Sequence, residues 1–351
     1  MINIDWLENN IENINVEYLE RAQQKQNSLT KPPGSLGRLE EIAIQLSAMQ
    51  HTDQPEINNI QIAVFAADHG IAEENVSLFP QVVTLEMVKN FSRGGAAISV
   101  LAKQLSANLE VINVGTVNEH EPLAGVVVQR VAAGTQNFSK QAAMTKSQLH
   151  AALNAGKAAV ERALENALQL FIGGDMGIAN TTSATAIVCA LFNEKAETIA
   201  GPGTGLDKTG VSHKAEIINI GLELHKEKLQ SPLAVLQYLG GFEIAALTGA
   251  YLYCAQNNLP VIVDGFISSV AALVAIKLNP QVKQWMFFSH VSAEPGHEII
   301  IQMLQIKPLL NMDMRLGEAS GAAVVVPLMK LACELHNNMA TFEQAGVSNQ
   351  D

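Results

Sequence analysis

Short, continuously apolar runs separated by stretches with helical spacing constrain this chain more than any other feature. They are Ile60 to Ala66, Leu109 to Val114, Leu168 to Ile172, Val261 to Val263 and Trp285 to Phe288. Runs without polar alternation suit strands buried on both faces, the habit of parallel sheets covered by helices. Val126 to Val131 and Thr198 to Ala200 are weaker strand candidates. The intervening stretches Lys146 to Asn166, Lys214 to Glu227 and Phe242 to Gln256 read as the covering helices. Nearer the N-terminus, Leu36, Leu39, Ile42, Leu46 and Met49 recur along one helical face. Before them stands a stiff Lys31-Pro32-Pro33-Gly34-Ser35 loop, with Ser35 placed to cap the helix. A last apolar helix, Ala322 to Asn337, is placed to return onto these N-terminal helices. The expected fold is α/β, a doubly wound, mostly parallel sheet with helices on both faces over residues 56–321. Residues 1–55 with 322–351 are expected to form a small helical domain from both chain ends.

Composition removes several classes of function. With 34 acidic against 22 basic side chains and a net charge of -12, the chain lacks a surface suited to nucleic-acid phosphates. Cys189, Cys254 and Cys333 stand far apart in apolar runs, so they read as buried thiols in a reducing compartment. Acids fall among the first residues, Met1 to Glu8, where an export signal carries bases. The longest apolar stretch, Pro260 to Ile276, is interrupted by Asp264 and Gly265 and falls short of a membrane span. A cytoplasmic protein without membrane or nucleic-acid partners is expected. The 25 glycines then need a reason.

Where they fall suggests one. Each strong strand runs into a loop of glycine, acid, amide or hydroxyl: Ala67-Asp68-His69-Gly70, Gly115-Thr116, Gly173 to Gly177, Asp264-Gly265, and Ser289-His290-Val291-Ser292. In an open parallel sheet these loops share the carboxyl edge, where ligands bind beside a switch in strand order. Gly173-Gly174-Asp175-Met176-Gly177-Ile178-Ala179-Asn180-Thr181-Thr182 leaves a strand and opens a helix, with Asn180 or Thr181 available as its cap. Backbone N–H groups at such a start form a phosphate site, and the alternative is a plain chain reversal. A second loop, Gly201 to Gly210, fails the P-loop pattern because Pro202 and Asp207 stand where glycines are required. It also fails the dinucleotide fingerprint, which disfavours hydride transfer. Arg93-Gly94-Gly95 is equally compatible with close helix packing and ligand contact.

Two carboxylates, Asp175 and Glu318, stand among small or apolar neighbours, which raises a carboxyl pKa toward that of a useful general base. For Glu318 the alternative is an ordinary acid at a helix N-terminus; Glu294 and Glu298 are better explained that way. Asp68, His69, Asp264, His290 and His297 sit in or near the rim loops, yet no pair has HxH or HExxH spacing, so a metal centre is weakly supported. His51, His120, His150, His213, His225 and His336 fall in polar stretches and read as surface residues. Nucleophilic catalysis has no G-x-S-x-G elbow and no rim cysteine.

Taken together, the loops carry a resemblance. Leu29 to Glu40, Ala67 to Gly70, Gly173 to Thr182, Ser289-His290 with Ser292-Ala293-Glu294, and Arg315 to Gly321 resemble the nicotinate-nucleotide:dimethylbenzimidazole phosphoribosyltransferase family, in order along nearly the whole chain. The resemblance implies transfer of phosphoribose from nicotinate mononucleotide to 5,6-dimethylbenzimidazole with inversion, giving α-ribazole phosphate and nicotinate for the cobalamin nucleotide loop. It implies a homodimer, no cofactor and no metal. Glu318 would be the base that takes the benzimidazole proton. Phe79, Met87, Asp175 and Met176 would line the benzimidazole pocket. The Gly177 to Thr181 and Gly201 to Gly205 loops, with Asn180, Gly203 and Gly205, would seat phosphate and ribose. Lys214 and Ser292 match further substrate-binding positions. Family members often carry Glu at Asp175 and Gly at Ala179, so the shorter Asp175 reaches less far. Two rivals stand beside this reading: a metal-dependent phosphohydrolase on Asp68, His69, Asp264 and His290, and a non-catalytic nucleotide-binding regulator.

Overall fold

The computed structural model describes residues 3–348. Two helices, α1 (Val16–Ser28) and α2 (Arg38–Gln50), precede β1 (Ile60–Ala67). Helices α3 (Val82–Arg93) and α4 (Ala97–Leu105) lead to β2 (Asn108–Gly115) and β3 (Val126–Val128), and α5 (Lys146–Leu164) leads to β4 (Leu170–Met176). Between β4 and β5 (Val261–Val263) lie α6 (Asn180–Phe192), α7 (Ala196–Ile199), α8 (Lys208–His225), α9 (Pro232–Leu239) and α10 (Phe242–Gln256). The chain closes with α11 (Phe266–Leu278), β6 (Met286–Phe288), α12 (Pro295–Leu304), α13 (Ser320–Asn338) and α14 (Phe342–Ala345).

The six strands are all parallel, in the order β3-β2-β1-β4-β5-β6. From β1 the chain moves outward to β3, then returns to β1's other side with β4, so the order reverses between β1 and β4. All eight residues of β1 are buried, as a central strand covered on both faces requires. Helices α5, α10 and α11 cover one face. Helices α3, α4 and α13 cover the other, and α13 continues past the sheet to pack on α2. The apolar core runs without a break from Leu46 and Met49 of α2 through the sheet to Leu247 of α10. Residues 1, 2 and 349–351 of the helical grouping expected from the chain ends lie outside the described residues.

The structure corrects several local expectations. Thr198 to Ala200 is not a strand: Ala196–Ile199 forms a helical turn, and Ile199 packs against Gly296 of α12. Ser35 is not the cap of α2; Gly37 takes that place at φ 53° without a side-chain cap. The preceding loop is held instead by Glu40, which pairs with Lys31 at 2.8 Å and accepts from the Leu36 N–H at 2.9 Å. Neither Asn180 nor Thr181 caps α6, since Ala179 stands there at φ 72°. His225 and His336 are buried, not on the surface: His225 Nε2 lies 2.8 Å from the Phe138 carbonyl, and His336 Nδ1 lies 2.9 Å from Gln26 Nε2. The three cysteines are buried free thiols.

The glycines divide between two uses. In α5 and α10, Gly156 and Gly249 let the helices touch backbone to backbone; a Cβ at Gly156 would stand 1.8 Å from the Ala246 carbonyl oxygen. Gly173 makes room for Leu247 and Tyr251, and Gly177 for the Ala67 carbonyl. These glycines are required by protein neighbours, so not every rim glycine exists for a ligand.

Candidate active site

A cavity of about 460 Å³ opens at the carboxyl ends of β4, β5 and β6, beside the reversal in strand order. One wall is apolar. Val83 and Met87 stand one turn apart on one side of α3, and Phe79 of the preceding loop, with Met176, Phe266 and Ile267, completes that wall. Helix α3 is docked by Gln81, which donates to the His69 carbonyl at 2.6 Å, and by Thr84, whose Oγ1 accepts from the Ile178 N–H at 3.2 Å.

The other wall is polar. Gly177, Asn180 and Thr181 line it at the start of α6, a helix with no side-chain cap of its own. Uncapped N–H groups at a helix start favour an anion. Gly203 and Thr204 face them, the Gly203 N–H donating to Glu294 Oε1 at 2.9 Å. Lys214 lies behind this wall, fully buried, with Nζ 3.2 Å from Thr181 Oγ1 and 3.0 Å from the Gly201 carbonyl. Burial lowers its ammonium to about 8, against the opposing pull of Glu294. Ser292 is held by its N–H, which donates to His297 Nδ1 at 2.8 Å. That fixes the proton of a neutral His297 on Nε2, facing Ser269 Oγ at 3.0 Å, and burial lowers His297 to about 3.

Three buried carboxylates meet at the floor. Asp175 Oδ2 accepts from Asn180 Nδ2 at 2.9 Å. Burial, then the charges of Asp264 and Glu243, hold Asp175 well above the ordinary carboxylate range. Burial also raises Asp264 and Glu318, the first opposed by His290 and the second by the Ile98 N–H. Glu318 is 4% exposed, and its Oε2 has no hydrogen-bond partner. It reaches the cavity from a left-handed turn, with φ 64°.

Of the residues singled out in the sequence, the structure brings Phe79, Met87, Asp175, Met176, Gly177, Asn180, Thr181, Gly203, Ser292 and Glu318 to this one cavity. Gly205 and Lys214 lie outside its lining. Asp264 and His290 do line it, whereas Asp68 and His69 do not, so the four residues of the phosphohydrolase reading are not gathered in one place. His69 instead bridges Glu243 Oε1 at 2.6 Å and Ser183 Oγ at 3.0 Å, and Asp68 Oδ2 accepts from the Val117 N–H at 2.8 Å. Among the described residues no group of three or more His, Cys, Asp or Glu is arranged to hold a metal ion. Arg93-Gly94-Gly95 ends α3 and makes no part of the cavity lining. Val83, Phe266, Ile267 and Glu294 line the cavity without having been anticipated as site residues, whereas Thr204 and Arg315 fall inside loops already singled out. For Val83 the signal was present, midway between Phe79 and Met87.

Known proteins resemble this chain over nearly its whole length. A family model described as Phosphoribosyltransferase matches residues 11–347. A nicotinate-nucleotide--dimethylbenzimidazole phosphoribosyltransferase of Pseudomonas putida (strain W619) is 50% identical over 349 residues, covering 99% of each chain. The enzyme of that name from Xanthomonas axonopodis pv. citri (strain 306) is 54% identical over 328 residues, covering 93% of this chain and 94% of the relative. A crystal structure of the enzyme so named from Thermus thermophilus superposes with a TM-score of 0.90 at 38% identity, covering 96% of this chain and all of that one. No helix among the described residues is long and apolar enough to cross a membrane. The chain belongs to the phosphoribosyltransferase family whose members these relatives are.

Proposed function

We propose that this protein transfers phosphoribose from nicotinate mononucleotide to dimethylbenzimidazole with inversion at the sugar carbon, releasing α-ribazole phosphate and nicotinate. The observation that carries the proposal is Glu318: a buried carboxylate with a free oxygen, raised above its ordinary range, across a cavity from an apolar wall. A flat benzimidazole suits Phe79, Val83, Met87 and Met176. One ring nitrogen gives its proton to Glu318 while the other, with its lone pair, attacks the sugar carbon. The bond from that carbon to the pyridinium nitrogen breaks, and its electron pair neutralises the ring of the departing nicotinate. The leaving group is already cationic, so it needs no acid. Because benzimidazole is a weak acid, a base of raised pKa in a dry site suits the transfer.

Asn180, Thr181, Gly203 and Ser292 are proposed to seat phosphate and ribose, with Lys214 holding the Thr181 and Gly201 side of that seat. Arg315, exposed on the cavity lining and without an ion pair among the described residues, supplies a cation for an anionic substrate. Pairing of two copies is supported by α4 and α13, which pack together and leave Val100, Leu328 and Leu331 exposed; sedimentation would measure it. The terminal segments 1–55 and 322–351 are proposed as one helical unit, which limited proteolysis would test. For the reaction itself, incubation with nicotinate mononucleotide and dimethylbenzimidazole is expected to release nicotinate only when the benzimidazole is present. Binding without turnover, or release without the benzimidazole, sinks the proposal.

A further inference from the structure

Helix α13 begins on three successive left-handed residues, Gly317 at φ 85°, Glu318 at φ 64° and Ala319 at φ 71°. For residues with side chains this costs about 1–2 kcal/mol each. The cap position falls to Ala319, which has no side-chain acceptor to offer. The turn is held by two other parts of the chain. From below, Gly174 of β4 meets the Glu318–Ala319 peptide so closely that a Cβ would stand 2.7 Å from the Glu318 carbonyl carbon and the Ala319 nitrogen. From the side comes Asp264, the residue that follows β5. Its Oδ1 accepts from the Ala322 N–H at 2.8 Å, and the nearby N–H groups of Gly265 and Ala319 favour its charged form. Ala322 is the third residue of α13, the position a helix's own capping side chain would normally serve. Gly321 leaves the space for this approach: a Cβ there would stand 3.0 Å from Asp264 Oδ1 and 2.1 Å from His290 Nδ1.

We propose that Asp264 is a positioning residue for transfer: by capping α13 from the loop that follows β5 it fixes the left-handed turn that sets Glu318 at the cavity. The inference rests on the reading of Glu318 as the base. It assigns Asp264 a geometric role through its acceptor oxygen, not through its charge. His290, Asp175 and Glu318 surround it at the cavity, and its nearest cation-forming neighbour, His290 Nδ1, is 4.0 Å away. That distance is too long for the hydrogen bond that an ion pair would need to anchor the side chain.

Asp264→Asn keeps the acceptor and removes the charge; Asp264→Ala removes both. The Asn variant is expected to keep kcat within about ten-fold of the parent, while the Ala variant loses roughly 100-fold in kcat, the penalty of an ångström's misplacement. KM for nicotinate mononucleotide should change by less than about three-fold in both, since the phosphate seat is built elsewhere. Hydrogen exchange supplies the direct readout: the Ala319 and Ala322 amides should lose protection in the Ala variant and keep it in the Asn variant. An Asn variant as impaired as the Ala one, with both amides still protected, overturns the inference, and so does an Ala variant with the parent's kcat. If Asp264→Ala fails to fold, the Asn arm decides alone: a loss in kcat well beyond ten-fold with both amides still protected overturns the inference. A parent protein that transfers nothing overturns the reaction reading instead, while the exchange of Ala319 and Ala322 still tests the cap.

Discussion

At the scale of single residues, Glu318 decides how the proposed transfer responds to pH. A carboxylate held above its ordinary pKa by burial is protonated at acid pH and becomes a base only as pH rises past that raised value. The rate of transfer should therefore climb with pH through a limb lying above the usual carboxylate range. Glu318→Gln should lower kcat by about 100-fold or more and abolish the limb. A variant with the parent's rate and limb would remove Glu318 from the chemistry, and steady-state kinetics across pH measures both. Glu318 and Asp175 were legible in the sequence as acids among small neighbours. Asp264 was legible only as a rim residue. Nothing in its local sequence says that it caps a helix starting 56 residues later, because that contact exists only once β5 and α13 have been brought together. His225 and His336 misled for the complementary reason: polar neighbours in sequence conceal partners supplied by Phe138 and Gln26.

At the scale of elements, the strong apolar runs located β1, β2, β4, β5 and β6 because a strand buried on both faces has nowhere to put a polar side chain, whereas the half-exposed β3 matched only a weaker candidate. Their lengths were less legible: β4 runs on through Asp175 and Met176, and β3 stops at Val128. Thr198 to Ala200 failed as a strand because a short apolar run has no period with which to tell strand from helix. The backbone-to-backbone crossing of α5 on α10 rests on Gly156 and Gly249, which sequence pattern alone leaves unexplained. It makes a clear test. Alanine is ordinarily better than glycine inside a helix by about 1 kcal/mol. Here Gly156→Ala places a methyl against the Ala246 carbonyl and forces the helices apart, so the protein should lose about 1–3 kcal/mol on urea denaturation. A stabilised variant would mean that the two backbones are not in contact.

For the whole molecule, strand order has the same 3-2-1-4-5-6 arrangement as dinucleotide-binding folds, yet the sequence lacks their glycine fingerprint. The topology supplies a place at the switch in strand order, and the loops decide what is done there. The same burial that tunes those loops makes stability depend on pH. His336 of α13, packed on α1 through Gln26, is lowered to about 4 by burial and by the charge of Lys25, and His297 of α12 is lowered to about 3. Unfolded, both histidines bind protons from about pH 6.5 downward, whereas folded they do not. The unfolded chain thus holds more protons between roughly 4 and 6.5, and stability falls as pH drops through that window. Asp175, Asp264 and Glu318 work in the opposite sense, because their raised folded values make stability fall as pH rises through the carboxylate range. A single melting curve sums the two effects, and a substitution separates them. His336→Asn keeps an acceptor for Gln26 where Nδ1 stood and removes the titrating ring. Relative to the parent, its Tm should improve steadily as pH is lowered from 6.5 toward 4, with no such trend between pH 7 and 8. A constant Tm difference across the whole range would show that His336 takes up its proton in the folded state as readily as in the unfolded one.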